Sequence, residues 1–128
     1  MKYFVTVSNN LGLSFFNKRQ SSDIKVLEDM IKEAENSKIL VNKSALDIFT
    51  KNNLEQHITT SESSYVFYEC DELSSIKDIN ILIVYYWNRD YPSDKFLKLN
   101  LNAYKELEKI EFQGNSHDNI TKIVYERK

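Results

Sequence analysis

The stretch INILIVYYW, residues 79–87, decides the fold of this chain. It is apolar apart from Asn80 and lacks the alternation of a strand that has one face in water. Such a run is typical of a central strand covered on both faces, which requires helices on either side of a mostly parallel sheet. The run is far too short to cross a membrane as a helix.

Before this run, segments typical of strands and helices alternate. Lys2–Ser8 is rich in β-branched and aromatic residues and predicts a strand. Ser21–Asp23 predicts the start of a helix, with Ser22 as its cap and Asp23 at the positive end of the helix dipole. Further predictions are a loop at 9–20, strands at 38–41, 56–60 and 65–68, and helices at 44–49 and 69–76.

After the run, Asn88–Asp94 predicts a loop, and two alternating segments, Leu107–Phe112 and Asn119–Glu126, flank a polar turn. This pattern predicts an antiparallel hairpin. The whole order predicts an α/β fold with a mostly parallel central sheet flanked by helices and a C-terminal antiparallel hairpin. A chain of 128 residues is the usual size of one domain, so we expect residues 1–128 to form a single domain.

Composition narrows the class of protein. The net charge is −2 with 28% charged residues, which is a mixed surface without the basic footprint of a nucleic-acid-binding protein. Cys70 is the one cysteine, so no intramolecular disulfide forms, and a reducing, cytoplasmic location is expected. We therefore expect neither nucleic acid nor a membrane as a partner.

Five segments stand in an order and at a spacing that one enzyme family shares: Ser8–Leu13, Ser22–Leu27, Ile39–Ser44, Ser93–Leu97 and Ile123–Lys128. Together they resemble the dihydrofolate reductase superfamily, which includes the riboflavin-pathway reductases. The chain resembles a shortened, divergent member, and the resemblance implies a dihydrofolate-reductase-like fold. It also implies a cleft for a pterin substrate and a nicotinamide cofactor.

Asp23 matches the carboxylate that holds the pterin ring in the family and supports its protonation, which makes it the candidate catalytic residue. The alternative is an ordinary carboxylate at a helix N-terminus. The resemblance further implies Val5, Leu27 and Phe49 as substrate-binding residues.

Lys43 and Ser44 stand where the family binds cofactor phosphate, and a lysine can do so as a point charge. A solvated lysine and a helix cap are the alternative. Where the family has a run of glycines against the pyrophosphate, this chain has Glu69, Asp71 and Glu72. Side chains there would block the backbone and repel an anion, so we expect no cofactor. NADPH remains the cofactor if the chain is an enzyme.

The histidines, the cysteine and an aromatic cluster give weaker indications of function. His57 and His117 lack ligand spacing and are expected to be surface histidines, so no metal site is predicted. Cys70 is expected to be a half-buried thiol, and no motif supports a serine triad. The aromatic cluster Tyr86, Trp87 and Tyr91, with Arg89, has the composition of an interface, although ordinary core packing explains it as well.

Three functions follow from these observations. The first is a binding or interaction protein without classical NADPH-dependent activity, for example a phage or mobile-element accessory protein that binds a protein partner or forms a homodimer. The second is an active NADPH-dependent dihydrofolate reductase or a related pterin or pyrimidine reductase. The third is a small nucleotide-binding domain.

Overall fold

The computed structural model describes residues 1–73 and 79–128. Its two helices are α1 (Ile24–Glu33) and α2 (Lys43–Lys51), and short 3₁₀ turns lie at Glu55–His57 and Leu101–Ala103. The strands are β1 (Lys2–Val7), β2 (Gly12–Phe15), β3 (Lys18–Arg19), β4 (Ile39–Val41), β5 (Ile58–Thr59), β6 (Tyr65–Phe67), β7 (Ile81–Tyr86), β8 (Lys95–Phe96), β9 (Tyr104–Phe112) and β10 (Ile120–Arg127).

The large sheet has the strand order β5-β4-β6-β1-β7-β10-β9. Its first five strands are parallel, β10 runs antiparallel to β7, and β9 closes the C-terminal hairpin. Strand β7 lies between β1 and β10, and Leu82, Ile83, Val84 and Tyr85 are all buried. The predicted fold is therefore confirmed, including the central strand and the hairpin.

Residues 9–20 are not simply a loop. They contain β2 and β3, which form a small second sheet with β8 in the order β3-β2-β8. The β2–β3 turn places Phe16 and Asn17 in the left-handed region, with φ of 50° and 61°. The prediction was wrong here because the strands are very short and the turn lacks the glycine that normally marks a hairpin.

Helix α1 is capped by Asp23, not by Ser22. The Asp23 backbone is extended and its carboxylate accepts a hydrogen bond from the Lys25 N–H. The buried face of the helix consists of Val26, Leu27 and Met30. Helix α2 begins one residue earlier than predicted, because the Asn42 side chain caps it by accepting from Ala45 N–H.

The predicted strand at 56–60 is shorter in the structure, where a 3₁₀ turn precedes the two-residue β5. The helix predicted at 69–76 is wrong for residues 69–73, which form a turn and extended chain. Cys70 and Leu73 there have φ of 66° and 63°, which a helix does not allow. The rest of that predicted helix, 74–76, lies outside the described residues.

Alternation along β1 and β7 divides the core between the two faces of the sheet. Phe4, Ile83 and Tyr85 pack with α1 and α2, while Val5 and Val84 pack on the opposite face. The parallel strands all end at the same edge of the sheet, which is where open α/β sheets bind their ligands. Within the described residues no helix is long and apolar enough to cross a membrane.

Candidate functional site

A cleft lies at the carboxyl edge of the sheet, beside the start of α1. Its lining consists of Thr6, Ser21, Ser22, Asp23, Val26, Leu27, Met30, Ile48, Phe67, Glu69 and Trp87. Side chains fill most of the cleft, since the space left for solvent is only about 10 Å³. That is the room for roughly one water molecule. A second, more polar depression of about 290 Å³ lies on the outer side of Asp23, against Asn115 and Ser116.

Asp23 is the buried centre of this site, with none of its side chain exposed. Besides the capping bond from Lys25, its carboxylate accepts hydrogen bonds from the backbone N–H groups of Asn115 (2.8 Å) and Ser116 (2.9 Å). The Ser116 hydroxyl (3.2 Å) and His117 Nδ1 (2.9 Å) complete the set. The chain's own donors therefore already make the hydrogen bonds to Asp23 that a substrate would otherwise make.

These contacts decide the charge of Asp23. Burial alone would raise the pKa of its carboxyl group. The hydrogen bonds from Asn115, His117, Ser116 and Lys25 outweigh burial and lower that pKa from 3.8 to about 2. Asp23 is therefore an anion across the physiological pH range. It carries no proton to donate to a substrate.

His117 is a buried member of the same site, which corrects the prediction of a surface histidine. Its side chain is only 2% exposed and stacks on the Trp87 ring at 4.6 Å between centroids. Nε2 lies 2.9 Å from the Ser21 hydroxyl and 3.2 Å from the Tyr91 hydroxyl. The turn that carries His117 joins β9 to β10 and folds back over the start of α1. His57, by contrast, is half-buried beside β5.

Glu69 occupies the second half of the cleft, directly after β6, and is buried. Its carboxylate accepts a hydrogen bond from the Ser44 hydroxyl and pairs with Arg19 Nε at 2.8 Å. The Asn42 side chain holds the Glu69 backbone at both its N–H and its carbonyl oxygen. The hydrogen bond to Glu69 raises the pKa of Arg19 despite burial. A carboxylate of the chain thus lies at the N-terminus of α2.

The two residues predicted to bind cofactor phosphate, Lys43 and Ser44, both lie at the start of α2 but have different surroundings. Ser44 is bound to Glu69, so its hydroxyl is engaged. Lys43 is exposed and faces solvent. This helix end therefore combines an exposed lysine with a buried carboxylate that already binds the Ser44 hydroxyl.

The predicted substrate-binding residues do not all lie together. Leu27 lines the cleft, and Phe49 is buried in the same core cluster behind it. Val5 lies in the cluster on the opposite face of the sheet, and the residue of β1 that lines the cleft is Thr6. The reason is the alternation of side chains along a strand, which puts neighbouring residues on opposite faces.

The predicted interface residues are mostly covered. Trp87 is buried, Tyr86 is half-buried and bonded to the Tyr125 hydroxyl, and Tyr91 is half-buried against His117. Only Arg89 of the four is exposed. Any surface these residues offer a partner would centre on Arg89, and an interface there stays a prediction.

The last two features predicted from the sequence concern Cys70 and metal binding. Cys70 is half-buried and unpaired, and burial raises the pKa of its thiol. Across residues 1–73 and 79–128, no three His, Cys, Asp or Glu side chains lie close enough together to hold a metal ion.

The sheet order and the two helices define an α/β protein with a dihydrofolate-reductase-like fold. The structure is similar to that of dihydrofolate reductase from Enterococcus faecalis complexed with NADP(H) and RAB-propyl, with a TM-score of 0.68. The similarity covers 98% of this chain and 95% of that chain, at 9% sequence identity. No protein-family model and no curated protein sequence matches the chain.

Sequence reasoning missed the contacts that make this site distinctive. His117 lies 94 residues from Asp23 and 96 residues from Ser21 along the chain, so no local motif links them. The available signal was Gly114, one of two glycines in the chain. A glycine that precedes a polar turn often marks a close approach of the backbone to another group.

Proposed function

We propose that this chain is a binding or interaction protein on a dihydrofolate-reductase-like scaffold, and that it does not carry out NADPH-dependent reduction. The observation that carries the proposal is the buried Glu69 carboxylate at the N-terminus of α2, bonded to Ser44 and Arg19. The resemblance assigns this position to cofactor phosphate. Here the chain's own carboxylate has taken the anion's partners, and its charge repels a second anion.

The pterin half of the cleft supports the same proposal. Asp23 is fully hydrogen-bonded by the turn between β9 and β10, and the space beside it holds about one water. A pterin would have to displace that turn and break several charge-assisted hydrogen bonds. Each such bond is worth about 1.5–3 kcal/mol, which a small ligand would have to regain.

An exposed aromatic tip supports the interaction part of the proposal. Phe15 and Phe16 lie with their rings 4.2 Å apart at the β2–β3 turn, and Phe96 lies on the neighbouring β8. Phe16 is 73% exposed and holds a left-handed backbone that a bulky residue rarely adopts. Aromatic side chains exposed together in this way are typical of contact surfaces.

Ligand binding tests the proposal directly. We expect no change in melting temperature when NADPH, NADH, dihydrofolate or methotrexate is added to the chain. A ligand at a hundred times its dissociation constant would stabilise the chain by about 2.7 kcal/mol, which is easily measured. A Glu69→Gly variant removes the internal anion, and it is the matched variant in which any weak NADPH binding should become detectable.

An NADPH-dependent reductase is the second candidate, because the similar Enterococcus enzyme is complexed with NADP(H). The sequence resemblance also matches Asp23 to the family's carboxylate. Stabilisation of the unaltered chain by NADPH, with turnover that Asp23→Asn abolishes, would establish it. Stabilisation by a mononucleotide alone would instead favour a small nucleotide-binding domain.

The interaction surface is tested separately. Phe16→Asn replaces the exposed ring with a residue that tolerates the same backbone, so we expect the fold to be kept or slightly stabilised. If the aromatic tip joins two copies of this chain, sedimentation should show a dimer that Phe16→Asn dissociates. Glu62→Asn, at an exposed position far along the chain from the tip, is the control.

A further inference from the structure

Ser21, His117 and Asp23 form a linear hydrogen-bonded chain in the cleft. The Ser21 hydroxyl lies 2.9 Å from His117 Nε2, and His117 Nδ1 lies 2.9 Å from the Asp23 carboxylate. From this geometry we propose that Ser21 is an activated nucleophile, and that the site transfers short acyl groups from esters to water. The proposal is independent of NADPH binding, which does not involve the Ser21 hydroxyl.

The hydrogen bonds determine which nitrogen of His117 carries the proton. The Asp23 carboxylate can only accept, so the facing Nδ1 must be the donor. In the neutral imidazole Nε2 is then the acceptor, and it receives the Ser21 hydroxyl proton. Stacking on Trp87 holds the ring in this plane. This is the tautomer and orientation that a general base needs beside a serine nucleophile.

Ser21 is accessible where its two partners are not. It is half-buried and lines the cleft, whereas the side chains of His117 and Asp23 are 2% and 0% exposed. The Tyr91 hydroxyl lies 3.2 Å from the same Nε2, slightly farther than the Ser21 hydroxyl at 2.9 Å. The free space beside Ser21 is only about 10 Å³, so we expect Ser21 to accept an acetyl group far more readily than a long acyl chain.

The reaction has two steps. Ser21 Oγ attacks the ester carbonyl and passes its proton to Nε2, and the alcohol leaves with that proton as the acyl–oxygen bond breaks. Nε2 then takes a proton from water, the resulting hydroxide attacks the acyl group, and the carboxylic acid leaves as Ser21 Oγ regains its proton. The balance is ester plus water to acid plus alcohol. Asp23 is a positioning residue, since it acts on the reaction only through its hydrogen bond to His117.

The test uses p-nitrophenyl acetate with the full chain. We expect a burst of about one p-nitrophenolate per chain and an acetyl group on Ser21, located by peptide mass spectrometry. Ser21→Ala should abolish both, while Ser64→Ala, at an exposed serine outside the cleft, should leave both unchanged. p-Nitrophenyl octanoate should react at least about tenfold more slowly than the acetate, because the cleft is narrow.

Two further variants distinguish activation of Ser21 from a purely structural role of His117 and Asp23. His117→Gln should slow acetylation of Ser21 by on the order of a thousandfold. Asp23→Asn should lower kcat by a similar factor and change KM much less, since its main effect is on the tautomer of His117. Melting curves identify any variant that fails to fold.

A second probe covers the case in which His117→Gln or Asp23→Asn does not fold. A fluorophosphonate should label Ser21 of the unaltered chain, and prior acetylation should block this labelling. No labelling of the folded chain would overturn the proposal. Labelling of several serines at equal rates, or acetylation of Ser21 that His117→Gln leaves unchanged, would overturn it too.

Discussion

The carboxylate of Asp23 lies directly against the backbone of Gly114, so closely that a β-carbon at residue 114 would come within 3.0 Å of the Asp23 carboxyl carbon. The same β-carbon would lie 2.8 Å from Ile120 Cδ1. This contact brings the β9–β10 turn onto the start of α1. The turn then supplies the backbone N–H groups that keep Asp23 charged.

Gly114→Ala tests this contact. The added methyl group has no room between two buried side chains, so we expect a loss of about 1–3 kcal/mol in the free energy of unfolding. Urea denaturation measures it. Asn115→Ala, at the next position but with an exposed side chain, is the control and should cost less than about 0.5 kcal/mol. Equal effects of the two variants would show that the close contact does not exist.

Asp23 should make stability depend on pH. Its folded-state pKa of about 2 lies below the ordinary value of 3.8, so it stabilises the fold above pH 3.8 and loses that contribution as the pH falls toward 2. The difference corresponds to about 2 kcal/mol, of which roughly half should be lost by pH 3. Urea denaturation at pH 5 and pH 3 measures the loss.

The Asp23→Asn variant provides the comparison for this pH dependence. It carries no titrating group at residue 23, so its stability should fall less between pH 5 and pH 3 than that of the unaltered chain, by about 1 kcal/mol. Parallel pH profiles of the two proteins would contradict the lowered pKa.

Glu69 should contribute more to stability than an ordinary surface carboxylate. Glu69→Ala leaves Arg19 and Ser44 without their buried partner, and we expect a loss of about 1–3 kcal/mol. Glu72→Ala is the matched control, since Glu72 pairs with Lys98 at 3.4 Å on the surface. That pair should be worth less than about 1 kcal/mol. A larger loss for Glu72 than for Glu69 would contradict the arrangement.

Lys122 should connect α1 to the sheet. Its side chain is 4% exposed and its ammonium group pairs with Asp29 at 2.8 Å and with Glu33, both on α1. Lys122→Ala removes the cation from both carboxylates and leaves Asp29 with only the Tyr85 hydroxyl, so we expect a loss of about 2–3 kcal/mol in urea denaturation. Lys25→Ala, which removes an exposed pair with Glu28, should change stability by less than about 0.5 kcal/mol.

Glu35 offers a stabilising substitution. It follows the end of α1 with φ of 55°, a backbone that costs a non-glycine residue about 1–2 kcal/mol. Glu35→Gly removes that cost and adds chain entropy to the unfolded state, so we expect a net gain of about 0.5–1 kcal/mol. Ser37→Gly, two residues on and outside the left-handed region, should give no gain. Thermal denaturation of the two variants decides between these outcomes.

The fold was predictable because its signals are local or periodic. The apolar run that contains β7 indicates burial on both faces, and the alternation in β9 and β10 indicates a hairpin. The β2–β3 hairpin was not predictable, since Phe16 and Asn17 adopt a turn that glycine usually marks. The cap of α1 was assigned to Ser22 because serine and aspartate both cap helices, and only the backbone angles distinguish them.

The amino-acid sequence by itself determined the main strands of the large sheet, helices α1 and α2, the buried central strand and the acidic residues around Glu69, because each depends on residue type and spacing. Only the tertiary structure decided that Asp23 is saturated by the β9–β10 turn, that His117 is buried between Asp23, Ser21 and Trp87, and that Glu69 binds Ser44 and Arg19. Those contacts join residues far apart in the chain. Their geometry depends on how the sheet edge and the helix ends pack. No local sequence pattern predicts that packing.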